Sequence, residues 1–229
     1  MISLSAQPEA IDLSLAQTAL MIIDMQRDFL EPGGFCASLG NDVSLFRSAI
    51  APCQALLAAA RAIGMLVIHT REGHLPDLSD APPAKVMRGK PELRNGSLGP
   101  MGRVLVRGAP GHGIIPELAA LNGEIIIDKP GKGAFYRTEL NDVLKEQRIE
   151  NLLVCGVTTE VCVHTTVREG NDRGYRCVVV GDACASYFPE FHRVALTMVS
   201  AQGGIFGWVS NSTAVVAALS PKRMSTTTN

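Results

Sequence analysis

The chain has 229 residues, of which 46% are hydrophobic and 19% charged, and its formal net charge is -1. This length supports one domain with a full core, and the balanced charge excludes the basic surplus typical of proteins that bind nucleic-acid phosphates. The amino-terminal segment has no basic region before an apolar run, and no apolar stretch approaches the roughly 20 residues of a membrane span. We therefore expect a single cytoplasmic domain that binds neither nucleic acid nor membrane, with a short extension over about 1–14 and a polar tail over about 220–229.

The first half of the chain alternates apolar runs with a helical pattern. TALMIIDM (18–25) and MLVIHT (65–70) are typical of strands buried on both faces of a parallel sheet. Between them, an alanine- and leucine-rich segment over 51–63 predicts a helix. The stretch over 71–102 is rich in proline, glycine and charge, which indicates a long loop that covers part of a site. RVLVRG predicts a short strand over 103–107.

The second half repeats the alternation with three β-rich runs and two helical patterns. The predicted strands are EIIIDK (124–129), NLLVCG (151–156) and CVVVGD (177–182). Helical patterns over 138–147 and 161–173 separate them. Strands that alternate with helices in this way predict a parallel α/β sheet.

A last helix over 189–201 precedes GGIFGWVS (203–210), which predicts a final strand, and a short helix. The whole order predicts a three-layer α/β/α fold with a mostly parallel central sheet, resembling a Rossmann fold. In such folds, functional sites form at the carboxyl ends of the strands.

Three of the predicted strand ends carry reactive side chains: Asp24, Lys129 and the segment that leads to Cys162. GVTTEVC predicts a strand-to-helix turn, so the Cys162 sulfur is expected near a helix N-terminus, a position that lowers a thiol pKa. Alone, each residue has an ordinary explanation: a packed cysteine, a turn cap and a solvated lysine. Their joint occurrence at the strand ends of one sheet favours an active site.

The other five cysteines are weaker candidates for a catalytic nucleophile. The chain has no CxxC pair and is too large to need disulfide bonds, so we expect six free thiols in a reducing compartment. Cys155 and Cys177 lie in apolar strand patterns and Cys53 in a helical one, which indicates packing. Cys36 and Cys184 are predicted in loops and stay as alternative nucleophiles.

Three segments resemble a known family. ALMIIDMQRDF, IIIDKPGKGAF and LLVCGVTTEVCVHTTVREGNDRGY closely resemble the signature segments of the isochorismatase-like cysteine hydrolases, in the same order, and the resemblance extends over about 15–218. It implies an Asp24/Lys129/Cys162 catalytic triad that works without a cofactor. It also implies a homotetramer.

The same resemblance implies a cis peptide bond between Val157 and Thr158. The backbone N–H groups of Thr158 and Cys162 then form an oxyanion hole. Some relatives, the nicotinamidases, bind a metal through an Asp/His cluster, but HTREGHLPDLSD lacks that pattern. We therefore predict no metal, and we expect His69 and His74 to be hydrogen-bonding residues.

Within the family, the segments HTREGHLPDLSD, IDKPGKGAF and MVSAQGGIFGWVSNS most resemble enzymes that act on biuret and triuret. In biuret-type enzymes, the residues that match Phe29, Lys132 and Gln202 surround the substrate; a helix cap is the alternative for Gln202. The predicted function is a cysteine amidohydrolase that releases ammonia from triuret or biuret through a thioester. Triuret is slightly favoured because Gly203 and Gly204 would leave room for a longer molecule.

Three alternatives remain at this point. Ureidoacrylate amidohydrolases share the FGWVS ending, so ureidoacrylate or another carbamoyl amide is a possible substrate. The vinyl-ether hydrolysis of true isochorismatases does not use a cysteine nucleophile, so the presence of Cys162 disfavours it. A ligand-binding α/β domain without catalysis is the third alternative, and the intact triad disfavours it.

Overall fold

The computed structural model describes residues 1–91 and 94–220, and most of the predicted polar tail lies outside this range. Ten strands occur in the described residues: β1 (Ile2–Leu4), β2 (Ile11–Leu13), β3 (Thr18–Ile23), β4 (Leu66–Glu72), β5 (Leu98–Gly99), β6 (Gly102–Arg103), β7 (Ile125–Lys129), β8 (Asn151–Val157), β9 (Arg176–Ala185) and β10 (Trp208–Ser210). Nine helices accompany them: α1 (Arg27–Leu30), α2 (Phe35–Ser38), α3 (Ser44–Arg47), α4 (Ile50–Ala62), α5 (Pro83–Val86), α6 (Leu140–Glu146), α7 (His164–Asp172), α8 (Pro189–Gly204) and α9 (Ser212–Leu219).

Six strands form the central sheet in the order β10-β9-β8-β3-β4-β7, and every neighbouring pair is parallel. All residues of β3 and β8, the two middle strands, are buried. Burial on both faces explains why these strands read as continuous apolar runs and not as an alternation of apolar and polar residues.

Helices cover both faces of the sheet. From β3 the chain moves to β4 on one side, whereas from β8 it moves to β9 and β10 on the other. Because crossovers between parallel strands are right-handed, the helices of the two halves lie on opposite faces. Accordingly, α4 packs against α9 on one face, and α7 and α8 pack against β9 on the other. The three-layer α/β/α prediction is confirmed.

Helix α4 shows how local sequence sets these elements. Its buried residues, which recur at helical spacing and face the sheet, are Ile50, Cys53, Leu56, Leu57 and Ala60. Gly64 follows with a φ of 65°, the left-handed conformation that glycine adopts at little cost and that ends a helix.

Residues of the amino-terminal segment pack against the rest of the domain. Strands β1 and β2 form an antiparallel hairpin, and Leu4, Ile11 and Leu13 are buried in the main core. Gln7 also exchanges backbone hydrogen bonds of 2.8 and 2.9 Å with Val209. The short apolar runs in this segment are therefore core residues.

The strand predicted over 103–107 is not part of the central sheet. The segment makes the two-residue pairing of β5 with β6 and an isolated parallel bridge between Val106 and His74. Val104 and Leu105 are instead buried in a small separate cluster with Phe35 and Cys36. Burial in this cluster therefore accounts for much of the apolar run.

Among the described residues, no helix has the length and the apolar character that crossing a lipid bilayer requires.

Candidate active site

The middle of the sheet is a topological switch point. The chain leaves β3 toward one edge of the sheet and leaves β8 toward the other, so the two connections diverge between these neighbours. A crevice forms at the carboxyl ends of such strands. Asp24 directly follows β3, and the turn that carries Cys162 directly follows β8. Lys129 is the last residue of β7, so it also lies at the carboxyl ends of the strands.

Asp24 and Lys129 form a fully buried ion pair, with 2.7 Å between Oδ2 and Nζ. Thr70 holds the other carboxylate oxygen because its hydroxyl donates to Asp24 Oδ1 at 2.6 Å. The Lys129 ammonium also donates to the carbonyl oxygens of Gly131 at 3.0 Å and Lys132 at 2.9 Å. These contacts fix both side chains at the base of the crevice.

The surroundings keep Lys129 charged. Burial alone would lower the pKa of its ammonium, but the negative charge of Asp24, with contributions from Cys162 and Glu72, outweighs burial and raises the pKa. A permanently protonated lysine cannot take a proton from the thiol. Its contribution is therefore electrostatic.

Cys162 lies in a π-helical turn, Thr159–Val163, that leads into α7. The residue is 4% exposed. Burial raises the pKa of its thiol well above the usual range; Lys129 opposes this change, whereas Asp24 and Glu72 reinforce it. The expectation of a lowered pKa at the helix N-terminus is corrected: burial and the two adjacent carboxylates raise the pKa of this thiol, which favours its neutral form.

Glu72, which the sequence analysis did not single out, belongs to the same site. It is the last residue of β4 and is fully buried. Its Oε2 accepts a hydrogen bond from the Cys162 thiol at 3.6 Å. Lys132 Nζ contacts both of its carboxylate oxygens, at 2.8 and 3.0 Å, and Lys85 Nζ contacts Oε1 at 3.1 Å. The rule that selected Asp24, an acid at the end of a buried strand, also applies to Glu72.

The lysines determine the charge state of Glu72. Burial works to raise the pKa of this carboxyl, but Lys129, Lys132 and Lys85 together bring the pKa to about 2. Glu72 is therefore a carboxylate across the physiological range. Lys85 belongs to α5, so the long segment over 71–102 contributes a side chain to the site.

A cavity of about 250 Å³ opens beside Cys162. Phe29, Leu39 and Phe188 form apolar parts of its wall, and Glu72 and Lys132 provide charged groups. This size suits a small molecule with little apolar surface. Phe29 and Lys132, which were expected around the substrate, both line this cavity; their contact with a substrate stays a prediction.

Gln202 does not reach this cavity. It is exposed, and its φ of 51° and ψ of 40° interrupt the end of α8. This conformation matches the helix-end alternative and not the substrate contact. Gly204, two residues later, lies against Pro8. The reason for preferring triuret over biuret, space beside Gln202, therefore fails for the pocket of this chain.

The two histidines considered as metal ligands each contact a carboxylate. His69 Nε2 lies 3.1 Å from Glu124, and His74 Nδ1 lies 3.2 Å from Asp80. Both contacts agree with hydrogen-bonding roles.

The catalytic cluster itself contains ligand-type atoms: one atom each from Asp24, Glu72 and Cys162 lies within 4.8 Å of the others. However, lysine ammonium groups already neutralise both carboxylates, which disfavours a further cation. The absence of a catalytic metal stays a prediction.

The remaining cysteines are buried. Both Cys36 and Cys184 were predicted in loops, but Cys36 belongs to α2 and Cys184 to β9. Cys36 lines the same cavity as Cys162, and burial raises the pKa of its thiol to about 11. Among the described residues, the Cys162 sulfur lies within 4.8 Å of carboxylate oxygens of Asp24 and Glu72, whereas Cys36 is not part of this cluster.

The peptide bond between Val157 and Thr158 is cis, as expected. Thr158 is the N-cap of the π-helical turn, and its carbonyl accepts the N–H groups of Val161 and Val163, both at 3.2 Å. The first N–H groups of a helix lack partners within it. The assignment of the Thr158 and Cys162 N–H groups to an oxyanion hole stays a prediction.

A buried thiol beside a carboxylate and an ammonium, at the switch point of a parallel α/β sheet, defines a cysteine hydrolase. The sequence model of the Isochorismatase domain matches residues 18–213. The chain belongs to this family, and within it to the isochorismatase-like cysteine hydrolases.

Solved structures agree with this placement. A cysteine hydrolase from Pseudomonas syringae pv. phaseolicola is 28% identical, with 90% of this chain and 94% of that chain covered and a TM-score of 0.77. An isochorismatase family protein from Desulfovibrio vulgaris subsp. vulgaris str. Hildenborough is 30% identical, covers 89% and 98% of the two chains, and has a TM-score of 0.72. The N-carbamoylsarcosine amidase from Thermoplasma acidophilum, at 21% identity, 86% and 96% coverage and a TM-score of 0.65, shares the fold.

Proposed function

We propose that this protein is a metal-independent cysteine amidohydrolase that releases ammonia from a small linear ureide, triuret or biuret, through a thioester. The observation that carries the proposal is the position of Cys162 in a small cavity beside the buried Asp24–Lys129 pair. A thiol needs an adjacent base to attack an amide. Asp24 supplies that base, and Lys129 stabilises the charges that form.

The first half of the reaction forms the thioester. Asp24 takes the thiol proton as the Cys162 sulfur bonds to a terminal amide carbon, and the carbonyl electron pair moves to oxygen. The N–H groups of Thr158 and Cys162 stabilise this oxyanion; one such donor contributes ~3 to 4 kcal/mol in other enzymes. The oxyanion then collapses, the C–N bond breaks, and the proton on Asp24 passes to the leaving nitrogen as ammonia.

The second half restores the enzyme. Water loses a proton to Asp24 and attacks the thioester carbon, and the C–S bond breaks as the sulfur regains that proton. A ureide leaves as a carbamic acid, which ionises and loses carbon dioxide. The reaction is therefore a hydrolysis without redox change, and it needs no cofactor.

The composition of the cavity supports a ureide. Ureides are planar and alternate C=O acceptors with N–H donors. The Lys132 ammonium can donate to a carbonyl, and the Glu72 carboxylate can accept from an N–H, while Phe29 and Phe188 bound the cavity with apolar surface. A site built from such paired groups discriminates strongly against molecules that lack them.

A carbamoyl amide with a carboxylate, such as ureidoacrylate, is the second candidate. A neighbouring cavity of about 330 Å³ shares Phe29 and Lys132 with the first and is also lined by Lys85, Arg88 and Lys90. Lys85 and Lys132 are paired with Glu72, so Arg88 and Lys90 add further positive charge at this opening, which favours a substrate or product that carries negative charge. Ureidoacrylate would place its carboxylate there.

A panel assay tests the proposal. Ammonia release is measured under one set of conditions for triuret, biuret, ureidoacrylate, N-carbamoylsarcosine and nicotinamide. We expect kcat/KM to be highest for triuret or biuret. A higher kcat/KM for ureidoacrylate than for triuret and biuret would favour the second candidate substrate. Binding without turnover of any of these amides contradicts the amidohydrolase and supports a ligand-binding domain.

We further propose that the protein assembles as a homotetramer. Helix α8 and the residue before it expose several large apolar side chains: Phe188, Phe191 and Met198 are each about half exposed. Exposed apolar surface of this kind marks association sites. Light scattering coupled to size-exclusion chromatography measures the mass, and a monomer contradicts the proposal.

A further inference from the structure

Glu72 takes no part in the proton transfers described above, yet its carboxylate accepts a hydrogen bond from the nucleophile. The Cys162 thiol donates to Glu72 Oε2 at 3.6 Å. Within the part of the chain that the structure describes, no hydrogen bond joins this thiol to Asp24. The thiol proton is therefore directed away from the proposed base.

Charged groups on several elements face this contact. Three ammonium groups surround Glu72: Lys85 from α5, Lys129 from β7 and Lys132 from the loop after β7. Asp24, after β3, also lies within 4.8 Å of the sulfur, and its negative charge raises the pKa of the thiol.

Two weaker titratable neighbours complete the surroundings. They are His74, which follows β4, and Cys36 on α2, and the charge of Glu72 affects both. Burial disfavours the charged form of each.

We propose that Glu72 is a positioning residue that keeps Cys162 as a neutral thiol in the enzyme without substrate and holds the Lys132 ammonium over the cavity. The first part concerns the thiol alone. The second part rests on the proposed function, because it concerns affinity for the ureide.

The physical argument depends on the sign of the charge. A carboxylate next to sulfur opposes the formation of a second negative charge, so its removal favours the thiolate. The charge of Glu72 raises the pKa of Cys162, and the pKa of Glu72 itself, about 2, makes it a poor acceptor for the thiol proton. A general base has the opposite effect, since its removal slows reactions of the thiol. The two roles thus predict opposite changes.

Alkylation of Cys162 by iodoacetamide, followed by mass spectrometry of the peptide that contains it, separates the two roles without any substrate. With Glu72→Gln we expect the alkylation profile to shift to lower pH, and the rate at pH 7 to rise about threefold or more, because thiolate fraction increases faster than its nucleophilicity falls. A slower reaction identifies Glu72 as a base and overturns the proposal. An unchanged profile also overturns it.

Glu124→Gln is the matched control. Glu124 is also a largely buried carboxylate with a pKa of about 2, but it precedes β7 and so lies at the opposite end of that strand from Lys129. We expect this variant to alkylate at the wild-type rate. Equal acceleration in both variants indicates general loosening of the fold and overturns the proposal.

Two further variants keep the test decisive if Glu72→Gln does not fold. Glu72→Asp keeps the negative charge on a shorter side chain, so the carboxylate lies farther from the sulfur. Cys162 is therefore expected to be alkylated faster than in the wild type. Lys132→Met removes a cation that favours the thiolate, so alkylation is expected to slow. Either change in the reverse direction overturns the proposal.

Turnover tests the second part. Glu72→Gln is expected to raise KM for the ureide about tenfold, because Lys132 loses the carboxylate that holds it; an unchanged KM contradicts this part. If the wild-type enzyme cleaves no ureide, the proposed function fails, while the alkylation result still decides the role of Glu72 toward Cys162.

Discussion

Lys129 Nζ lies 2.7 Å from Asp24 Oδ2, and neither side chain has solvent exposure. Such a pair is costly to separate, because a single buried charge keeps the desolvation cost of the pair without its attraction. The pair thus links the stability of the fold to the chemistry of Cys162, and variants of either residue are expected to change both.

Asp24→Asn should reduce kcat by about 10³-fold or more, since members of one catalytic unit are strongly non-additive. It should also destabilise the fold by about 3 to 5 kcal/mol, because it leaves Lys129 charged and unpaired. Steady-state ammonia assays and urea denaturation measure the two effects. In the double variant with Lys129→Met, the loss of stability should be smaller than the sum of the single losses. Full additivity would refute the pairing.

Lys132→Ala should act mainly on KM. Its ammonium faces the cavity and is paired with Glu72, whereas the Lys129 ammonium is enclosed by Asp24 and two carbonyls. Steady-state kinetics should therefore show KM raised about tenfold or more with kcat within a few-fold, as expected when a ground-state contact is lost. Lys129→Ala should instead abolish turnover. An essential Lys132 with a dispensable Lys129 would reverse the two assignments.

The sequence predicted the sheet and the reactive residues at its strand ends well, because both depend on patterns that are local in the chain. Buried parallel strands require continuous apolar runs, and Asp24, Lys129 and the turn to Cys162 lie at the ends of such runs. The cis bond before Thr158 was also predicted, through the family resemblance.

Features that depend on distant contacts were missed. Glu72 was missed because the predicted strand ended at residue 70, whereas β4 continues to Glu72, and its ion pairs come from Lys132 and Lys85 elsewhere in the chain. Val104 and Leu105 form an apolar run that a strand or a small cluster explains equally well from sequence. Gln202 was placed at the substrate by resemblance, but its backbone conformation puts it at a helix end.

Acid should destabilise the protein through its buried carboxylates. Glu124 is partly desolvated, which favours its neutral form, but Arg61, the Leu121 N–H and His69 together lower its pKa from the usual 4.5 to about 2. A depressed pKa stabilises the fold above pH 4.5, and this stabilisation is lost as the pH falls toward 2.

Thermal unfolding between pH 6 and pH 2.5 tests this dependence. Glu124→Gln should lower the Tm at pH 6, and the difference from the wild type should shrink as the pH falls. Glu9→Gln, a change at an exposed carboxylate, should leave the Tm unaltered at both pH values. A difference that grows on acidification would contradict the ion-pair explanation.

Exhaustive chelation should leave ammonia release unchanged. The carboxylates near Cys162 are neutralised by lysine ammonium groups, so the site offers little net attraction to a divalent cation. Activity before and after dialysis against a strong chelator, with metal content measured by mass spectrometry, checks this. Loss of activity that zinc or iron restores would replace the metal-free mechanism.

The most direct test of the account is Cys162→Ser. The hydroxyl occupies nearly the same volume but is a far weaker nucleophile, so the variant should keep the fold, judged by circular dichroism, and bind ureide while releasing no ammonia. Cys36→Ser, a change at the other thiol that lines the cavity, should retain turnover and serves as the control. Near wild-type ammonia release by Cys162→Ser, or its loss in Cys36→Ser alone, would contradict the assignment of Cys162 as the nucleophile.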